Sequence, residues 1–314
     1  MSQRCIGVDL GGTKVSTAVL DGSELSDPVL APTETSSSAA LLAQLTDVIL
    51  AAAAGDTTAL VGIGAPSVIE FETGRALFSA NVPLVDVPLR QELGDRTGLQ
   101  VVVDNDATVA ALAEACDETG EVVTDSLVML TVGTGVGGGV IIGGRIFRGS
   151  TGAAPELGHI IIGADLSKGA PPREDRYPQP GSLERNAAGR VLDHLAQERG
   201  YADGRAAVEA AHAGEPGGLE ALRILGQRLG IGVANVINIF DPQEVVIGGG
   251  VSSAGDLLLK PAVETAWQFV FPGVGTKTKI RLARHGPKAG VLGAALLARH
   301  ELAGTATDRA RTVA

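Results

Sequence analysis

The chain has 314 residues, of which 45% are hydrophobic and 19% are charged, a composition typical of folded globular proteins and not of disordered ones. The length is sufficient for two domains, and an aromatic share of 3% predicts cores built from aliphatic side chains. A net charge of −11 argues against non-specific binding of nucleic acids, which depends on clustered lysine and arginine.

The cysteine content and the hydropathy indicate the cellular compartment in which the protein is expected. Cys5 and Cys116 are too few for a disulfide framework or for a metal site built from cysteines. The first residues contain no apolar signal-peptide core, and no apolar run is long enough to span a bilayer. These features predict a soluble, cytoplasmic protein.

The N-terminal segment predicts a β-hairpin around a glycine loop. Apolar runs at Cys5–Asp9 and Val15–Leu20 are typical of strands, and the glycine-containing loop 11–14 lies between them. Asp9 lies at the mouth of this loop and could reach Mg²⁺ directly or through water, although an aspartate there also commonly orders a turn. Lys14 is interpreted either as a phosphate contact or as a solvated turn residue.

Helices and strands alternate after this hairpin. The sequence predicts a helix over residues 38–54, a strand over Leu60–Ile63 followed by a turn at residues 64–66, and a helix over Leu89–Thr97. Asn81 lies in the irregular segment before the last of these helices. An isolated asparagine of this kind is usually structural unless other polar groups converge on it.

Three polar residues separate the next strand from the next helix. A buried-type strand is expected over Leu99–Val103 and a helix over Ala107–Ala115, with Asp106 at or near the N-cap and Asn105 one residue earlier. Simple capping is worth about 1 kcal/mol and needs only one such side chain. Because α/β folds bind ligands at the carboxyl ends of strands, we favour a functional carboxylate here.

A second glycine loop lies within the stretch from Leu130 to His159. Gly133, Gly135 and Gly138 match the dinucleotide pattern Gly-x-Gly-x-x-Gly, but a β-branched run at residues 140–142 follows where that motif requires a helix. The segment therefore predicts another hairpin, which is either a flexible turn or a phosphate cradle of backbone N–H groups. Its likeness to the N-terminal hairpin indicates two related halves whose loops could hold successive phosphates of one nucleotide.

The rest of the chain predicts a proline-rich surface loop followed mainly by helices. The expected elements are a loop over residues 164–181, helices from Gly181 to about Gly200 and over Leu219–Ile239, a strand over Glu244–Ile247, a helix from near Ala254, and a helix over Gly286–Glu301. The glycines at positions 248–250 are either a tight turn or bare backbone against which adenine or ribose could pack.

Five ordered motifs carry a resemblance to a known family. They are DLGGTK at 9–14, DNDA at 104–107, VGTGVGGG at 132–139, ELGH at 156–159 and IGGGV at 247–251. Together they resemble the ROK family (repressors, open reading frames and sugar kinases) of the actin–hexokinase–heat-shock-ATPase superfamily, and its bacterial glucokinases in particular. The resemblance implies an α/β fold of two lobes, built from duplicated ribonuclease H-like domains around a central cleft. The lobes are expected at residues 1–116 with a C-terminal helix at about 290–314, and at 117–289.

The resemblance also implies roles for individual residues. Asp106 matches the catalytic base, and Asp9 is a candidate Mg²⁺ contact through water. The sugar-hydroxyl ligands are expected at Asn81, Asn105, Glu156, His159 and Glu184. The ATP contacts are expected at Gly12, Thr13, Lys14, Thr134, Gly135, Gly249 and Gly250.

The expected activity is ATP-dependent phosphorylation of a hexose 6-hydroxyl, with glucose as the acceptor and a homodimer or homotetramer as the assembly. N-acetylmannosamine, fructose or mannose as acceptor, and polyphosphate as donor, remain open. A sugar-sensing repressor is disfavoured by the acidic charge and by the few residues before the first strand, which leave no room for a winged-helix domain. A sugar-independent ATPase is disfavoured by Glu156, His159 and Glu184.

One departure from the family pattern concerns zinc. Many members carry Cys-x-Cys-Gly-x-x-Gly-Cys-x-Glu after the Glu-x-Gly-His motif, and three of those cysteines bind structural zinc with the histidine. Here no cysteine follows Cys116, and Ser182 occupies the position of the last one. A Cys₃His site is therefore impossible, whereas Glu184 is retained. We expect hydrogen bonds to hold His159 instead.

Overall fold

The computed structural model describes residues 3–311. Its strands are β1 Cys5–Leu10, β2 Lys14–Asp21, β3 Glu24–Leu25, β4 Val29–Pro32, β5 Leu60–Ala65, β6 Val68–Glu70, β7 Arg75–Phe78, β8 Gln100–Asn105, β9 Ser126–Val132, β10 Val136–Ile142, β11 Arg145–Ile146, β12 Glu244–Gly248 and β13 Lys279–Leu282. Its helices are α1 Ser38–Ala53, α2 Leu89–Thr97, α3 Asp106–Ala115, α4 Leu183–Ala187, α5 Gly189–Gln197, α6 Gly204–His212, α7 Pro216–Phe240, α8 Asp256–Phe269 and α9 Ala289–Arg311.

Two sheets share one strand order. The first runs β3-β2-β1-β5-β8, with β4 also paired to β2, and the second runs β11-β10-β9-β12-β13. In the first, β1 is antiparallel to β2 and parallel to β5, which is parallel to β8. In the second, β9 and β13 are both parallel to β12. The repeated order confirms the prediction of an α/β fold with two related halves.

The described residues form two compact units. The first contains the residues up to Asp125, Gly139–Pro155 and the residues from Pro287, and the second contains Ser126–Gly138 and Glu156–Gly286. The segment 139–155 belongs to the first unit because it packs there: a Cβ on Gly139 would lie 2.5 Å from the Ala111 Cβ of α3. The functional lobes expected at 1–116 with 290–314, and at 117–289, remain a prediction.

In the first unit, α9 lies directly on the sheet. Two sheet glycines make room for its backbone, because a Cβ on Gly7 would lie 2.9 Å from Ala295 N, and one on Gly62 would lie 3.1 Å from Ala298 N and even closer to Ala294 O. A separate aliphatic cluster includes residues of β1, β5, β8, α1 and α2. The aliphatic, aromatic-poor core is as the composition predicts.

We expect Gly62→Ala to lower the free energy of unfolding by about 1–3 kcal/mol, because α9 must shift to admit one methyl group. Urea denaturation followed by circular dichroism would measure this change. Gly163→Ala is the matched control, because a Cβ there would meet no atom within 4 Å. Equal losses in the two variants would contradict the tight α9 packing.

In the second unit, α7 and α8 pack closely through small residues. A Cβ on Gly226 of α7 would lie 2.7 Å from Leu258 O, and one on Gly230 would lie 2.5 Å from Ala262 O. The α7 side chains predicted as core (Leu222, Leu225, Leu229, Val233 and Val236) are fully buried. Within residues 3–311, no helix combines the length and apolar character needed to cross a bilayer.

Several boundaries differ from the predictions. Strands β5 and β8 continue to Ala65 and Asn105, because their last residues pair with each other across the ladder. The helix expected from Gly181 to about Gly200 is two helices, broken at Ala188, whose ψ of 165° is extended. The helix expected from near Ala254 begins at Asp256, after a 3₁₀ turn over Gly250–Ala254. Helix α6 and strand β13 were not predicted.

Candidate active site

The carboxyl end of β8 carries Asn105, an expected sugar ligand, and next to it Asp106, the expected catalytic base. Asn105, not Asp106, is the N-cap of α3, and its Oδ1 accepts hydrogen bonds from the backbone N–H groups of Ala107 and Thr108. Asp106 is the first helical residue, and its Oδ1 accepts a 2.8 Å bond from Ala107 N. Because Asn105 does the capping, the carboxylate of Asp106 is not required for that purpose.

Two carboxylates of the first unit, those of Asp9 and Asp106, have raised pKa values. Burial raises the pKa of Asp106. The pKa of Asp9 is raised to about 6, chiefly by burial and then by the charge of Asp106, while Lys14 opposes the shift. Mg²⁺ is commonly bound by one or two carboxylates together with substrate phosphates. Asp9 therefore fits a magnesium contact, since a cation would offset the cost of its buried charge.

The raised pKa of Asp9 predicts that Asp9→Asn stabilises the protein while impairing turnover. The folded pKa exceeds the unfolded value of about 3.9, so the folded state binds more protons between these values and stability falls as pH rises through them. Above pH 6 the ionised carboxylate costs about 3 kcal/mol, since one pKa unit is worth about 1.4 kcal/mol.

Urea unfolding at pH 8 and pH 5 would test this prediction. The gain in the free energy of unfolding from Asp9→Asn should approach about 3 kcal/mol at pH 8. It should be smaller at pH 5, where the wild-type carboxyl is largely protonated. The exposed Asp47 of α1 supplies the control Asp47→Asn, for which we expect no gain at either pH. A lower free energy of unfolding for Asp9→Asn than for the wild type at pH 8 would show that the charge of Asp9 does not destabilise the fold.

The first glycine loop is tightly anchored. Gly11 N donates to Lys14 O at 2.9 Å, and Thr33 binds both sides of the loop, through its hydroxyl to Gly11 O at 2.7 Å and through its N–H to Thr13 O at 3.0 Å. A Cβ on Gly12 would lie 3.2 Å from the Cβ of Asn81. The structure therefore brings Asn81 beside the loop, with Thr13 and Lys14 exposed.

A buried ion pair that the sequence did not indicate lies at the end of β8, next to Asn105. Asp104 is 1% exposed, and its Oδ2 binds Arg148 Nε at 2.7 Å while its Oδ1 accepts a bond from Asn105 N at 2.8 Å. Arg148 also binds Glu301 at 2.8 Å and lies over the Phe71 ring, 3.4 Å from its centroid. Asp104 therefore holds the backbone of Asn105, the residue before Asp106, in place.

The second glycine loop, residues 133–135, forms the tight hairpin turn that was expected. Gly133 N donates to Gly135 O at 2.9 Å, which closes the turn and leaves Thr134 exposed. The loop is bound at both ends, because Gly189 N donates to Gly133 O at 2.7 Å and Val136 N donates to Glu184 Oε2 at 2.8 Å. We call residues 133–135 the donor loop.

A cavity of about 580 Å³ opens beside the donor loop, entirely within the second unit. Its lining residues come from the donor loop, α5, α6 and the turn after β12, and include Thr134, Arg190, Val208, Gly250 and Ser253. The volume suits a nucleoside-sized ligand. Helix α6 was missing from the sequence prediction, so this wall of the cavity was missed as well.

The turn after β12 needs glycine. Gly249 has φ of +84°, and a Cβ there would lie 2.6 Å from Val132 N, so both conformation and space exclude a side chain. Gly249 O accepts a 2.7 Å bond from the Ser252 hydroxyl. Gly250 lies on the cavity wall, and its contact with a nucleotide stays a prediction.

Glu156 and His159 lie at a 3₁₀ turn over Leu157–His159, and both are exposed. The Nε2 atom of His159 lies 3.8 Å from Glu156 Oε2, which is too far for a hydrogen bond between these two atoms. That hydrogen bonds hold His159 stays a prediction. The imidazole makes an edge contact with the Tyr177 ring, at 5.6 Å between centroids. Tyr177 comes from the proline-rich loop that replaces the cysteines.

Ser182, at the position of the missing cysteine, is fully buried and caps α4 through a 3.3 Å bond to Arg185 N. In the described part of the chain, no three His, Cys, Asp or Glu side chains cluster as metal ligands.

Within the first unit, the structure places Asn81 beside Gly12 and Asn105 next to Asp106. Within the second, it groups Thr134, Gly135, Glu184 and Gly250 around the donor loop and its cavity.

Two α/β units with the same strand order, each with a glycine hairpin, define the actin/hexokinase-like ATPase fold. The sequence model of the ROK family matches residues 5–301. This chain belongs to the ROK family.

Solved structures and curated sequences agree with that assignment. The chain is similar to a ROK family glucokinase from Streptomyces griseus, solved with glucose and AMPPNP, with a TM-score of 0.79 and 31% identity over 95% of this chain and 99% of that one. It is 33% identical to a glucokinase of Halalkalibacterium halodurans, covering 94% of this chain and 95% of the relative. It is also 33% identical to an N-acetyl-D-glucosamine kinase of Aliivibrio fischeri, covering 93% and 98%.

Proposed function

We propose that this protein transfers the γ-phosphoryl group of ATP to the 6-hydroxyl of glucose. That the chain is a sugar kinase, a phosphotransferase, rests on its family and on the relatives described above. The observation that carries the proposed transfer step is the position of Asp106, a carboxylate with a raised pKa at the end of β8 that is not needed as the helix cap. The choice of glucose is supported by the glucokinase relatives. A carboxylate with these properties is suited to accept a proton from a substrate hydroxyl.

The acceptor contacts are proposed by family resemblance. Asn81, Asn105, Glu156, His159 and Glu184 supply amide, carboxylate and imidazole groups. A neutral hexose has no charge to recognise, so its hydroxyls must be bound by several polar side chains of this kind. His159 and Glu156 are both accessible on their turn, which supports a role in binding a ligand.

The donor contacts are proposed at the glycine loops and the cavity. Gly249 and Gly250 would pack against adenosine in the 580 Å³ cavity, and the backbone of Thr134 and Gly135 would bind phosphate oxygens. Gly12, Thr13 and Lys14 would contact phosphates from the first unit. When bound at Asp9, Mg²⁺ would neutralise phosphate charge.

The proposed reaction is a single displacement. The sugar oxygen forms a bond to the γ-phosphorus as the bond from that phosphorus to the β–γ bridging oxygen breaks, and ADP leaves. The hydroxyl proton passes to an Asp106 carboxylate oxygen. Because phosphoryl transfer depends mainly on positioning and charge stabilisation, the chain needs one base and well-held substrates.

N-acetyl-D-glucosamine is the second candidate acceptor, because the relative of that name is as identical in sequence as the glucokinase. A coupled assay of ADP release over a panel of sugars, including N-acetylmannosamine, fructose and mannose, would separate the acceptors. We expect glucose to give the highest kcat/KM with ATP, and polyphosphate to be a poor donor. A higher kcat/KM for any other sugar would overturn the glucose assignment, and hexose-independent ATP hydrolysis would overturn the kinase proposal.

A further inference from the structure

The carboxylate of Glu184 binds both the end of the donor loop and a neighbouring arginine. By resemblance it is a sugar ligand, yet both of its carboxylate oxygens are engaged on the donor side. Oε2 accepts the 2.8 Å bond from Val136 N, directly after the donor loop, and Oε1 binds Arg190 Nη2 at 3.1 Å. Its carboxyl carbon also occupies the space next to Gly135, 3.1 Å from where a Cβ would stand.

The break at Ala188 makes this arrangement possible. Ala188 is fully buried and extended, so α5 starts in a new direction immediately after α4. Its first residue, Gly189, donates to Gly133 O, while Glu184 of α4 accepts from Val136 N. The two helix ends therefore bind the donor loop from both sides, and Arg190 is held next to it.

Arg190 is a cation of the cavity wall that lies next to the donor loop. Its side chain is 47% exposed and lines the cavity together with Gly133 and Thr134. Asp193 of the wall accepts a bond from Gly204 N at 2.8 Å, and Glu209 pairs with Arg205 at 3.1 Å. Arg190 is paired as well, but its partner Glu184 also binds Val136 N, directly after the donor loop. Arginine is well suited to phosphate, because its planar guanidinium presents several N–H donors at once.

We propose that Arg190 binds the phosphate chain of the nucleotide and that Glu184 is a positioning residue, which holds both Arg190 and the donor loop in place for it. This inference rests on the proposed function, and it adds a donor-side role to Glu184 whether or not that carboxylate also meets the sugar. It predicts that Glu184 matters for nucleotide binding when no sugar is present.

Calorimetric titration of the full chain with Mg²⁺ and ADP, in the absence of sugar, tests the proposal. Glu184→Gln keeps the shape and an oxygen for Val136 N but loses the ion pair. A charge-assisted hydrogen bond is worth about 1.5–3 kcal/mol, so the Kd for ADP should rise about tenfold or more. Arg190→Met should show a comparable rise, and Arg190→Lys a smaller one because the charge is retained.

Glu174→Gln is the matched control, because Glu174 also pairs with an arginine, Arg185, at 2.7 Å on the exposed surface. It should leave the Kd for ADP unchanged. If wild type binds ADP but the Kd is unchanged in Glu184→Gln or in Arg190→Met, this inference is overturned, while the proposed function is unaffected. A wild-type protein that does not bind ADP would overturn the proposed donor as well. The arginine variants keep the test independent of the folding of Glu184→Gln.

Discussion

Asp106→Asn should lower kcat for glucose phosphorylation by about 10²–10⁴-fold, the contribution typical of a general base, with little change in the KM values. The amide can still accept the hydrogen bond from Ala107 N, so α3 should begin at the same residue. Removing a partly buried charge of raised pKa should also leave thermal stability unchanged or slightly increased. Steady-state kinetics and thermal unfolding measure both effects.

Asp256→Asn supplies the comparison for this variant. Asp256 is likewise the first residue of a helix, α8, but it is exposed and pairs with Lys260 on the surface at 3.2 Å. The substitution should leave kcat unchanged. If Asp106→Asn retained turnover within threefold of wild type, Asp106 would not be the base, and the proposed mechanism would need another carboxylate.

Arg148→Met should destabilise the protein by about 3–5 kcal/mol, the cost of leaving a buried charge without its partner. Asp104 would remain buried with its carboxylate facing only Asn105 N. Because burial already raises the pKa of Asp104 and Arg148 opposes that shift, the loss should be greater at pH 8 than at pH 5, where the carboxyl can take up a proton. Urea denaturation at both pH values measures the difference.

Two further variants separate the contribution of the buried charge from that of side-chain packing. Adding Asp104→Asn to Arg148→Met should recover much of the lost stability, because no buried charge then remains. Arg185→Met removes an exposed ion pair with Glu174 and should cost at most about 1 kcal/mol. A double variant no more stable than Arg148→Met would show that packing against Phe71, and not charge, accounts for the loss.

The local elements of the fold were largely predictable from sequence. Helix α2 begins and ends at the predicted residues, and α1, α7 and the two glycine hairpins lie close to their predicted positions. These elements depend on periodicity, β-branched runs and glycine turns, which are properties of neighbouring residues. The errors occur where tertiary contacts override local preference, as at Ala188, an alanine in a helical sequence that is extended and buried.

The family motifs, the polar residues between a strand and a helix around Asp106, and the loss of the zinc cysteines can all be read from the order of residue types along the chain. Which distant groups come into contact depends instead on how the elements pack in three dimensions. Arg148 reaches Asp104 across 44 residues, and Val136 meets Glu184 across 48. Neither pair carries a sequence signal, because an ion pair or a backbone-to-carboxylate bond imposes no periodicity and depends on how sheets and helices pack. For the same reason the ring contact between His159 and Tyr177 could not be predicted, because nothing in the sequence of the loop that carries Tyr177 indicates it.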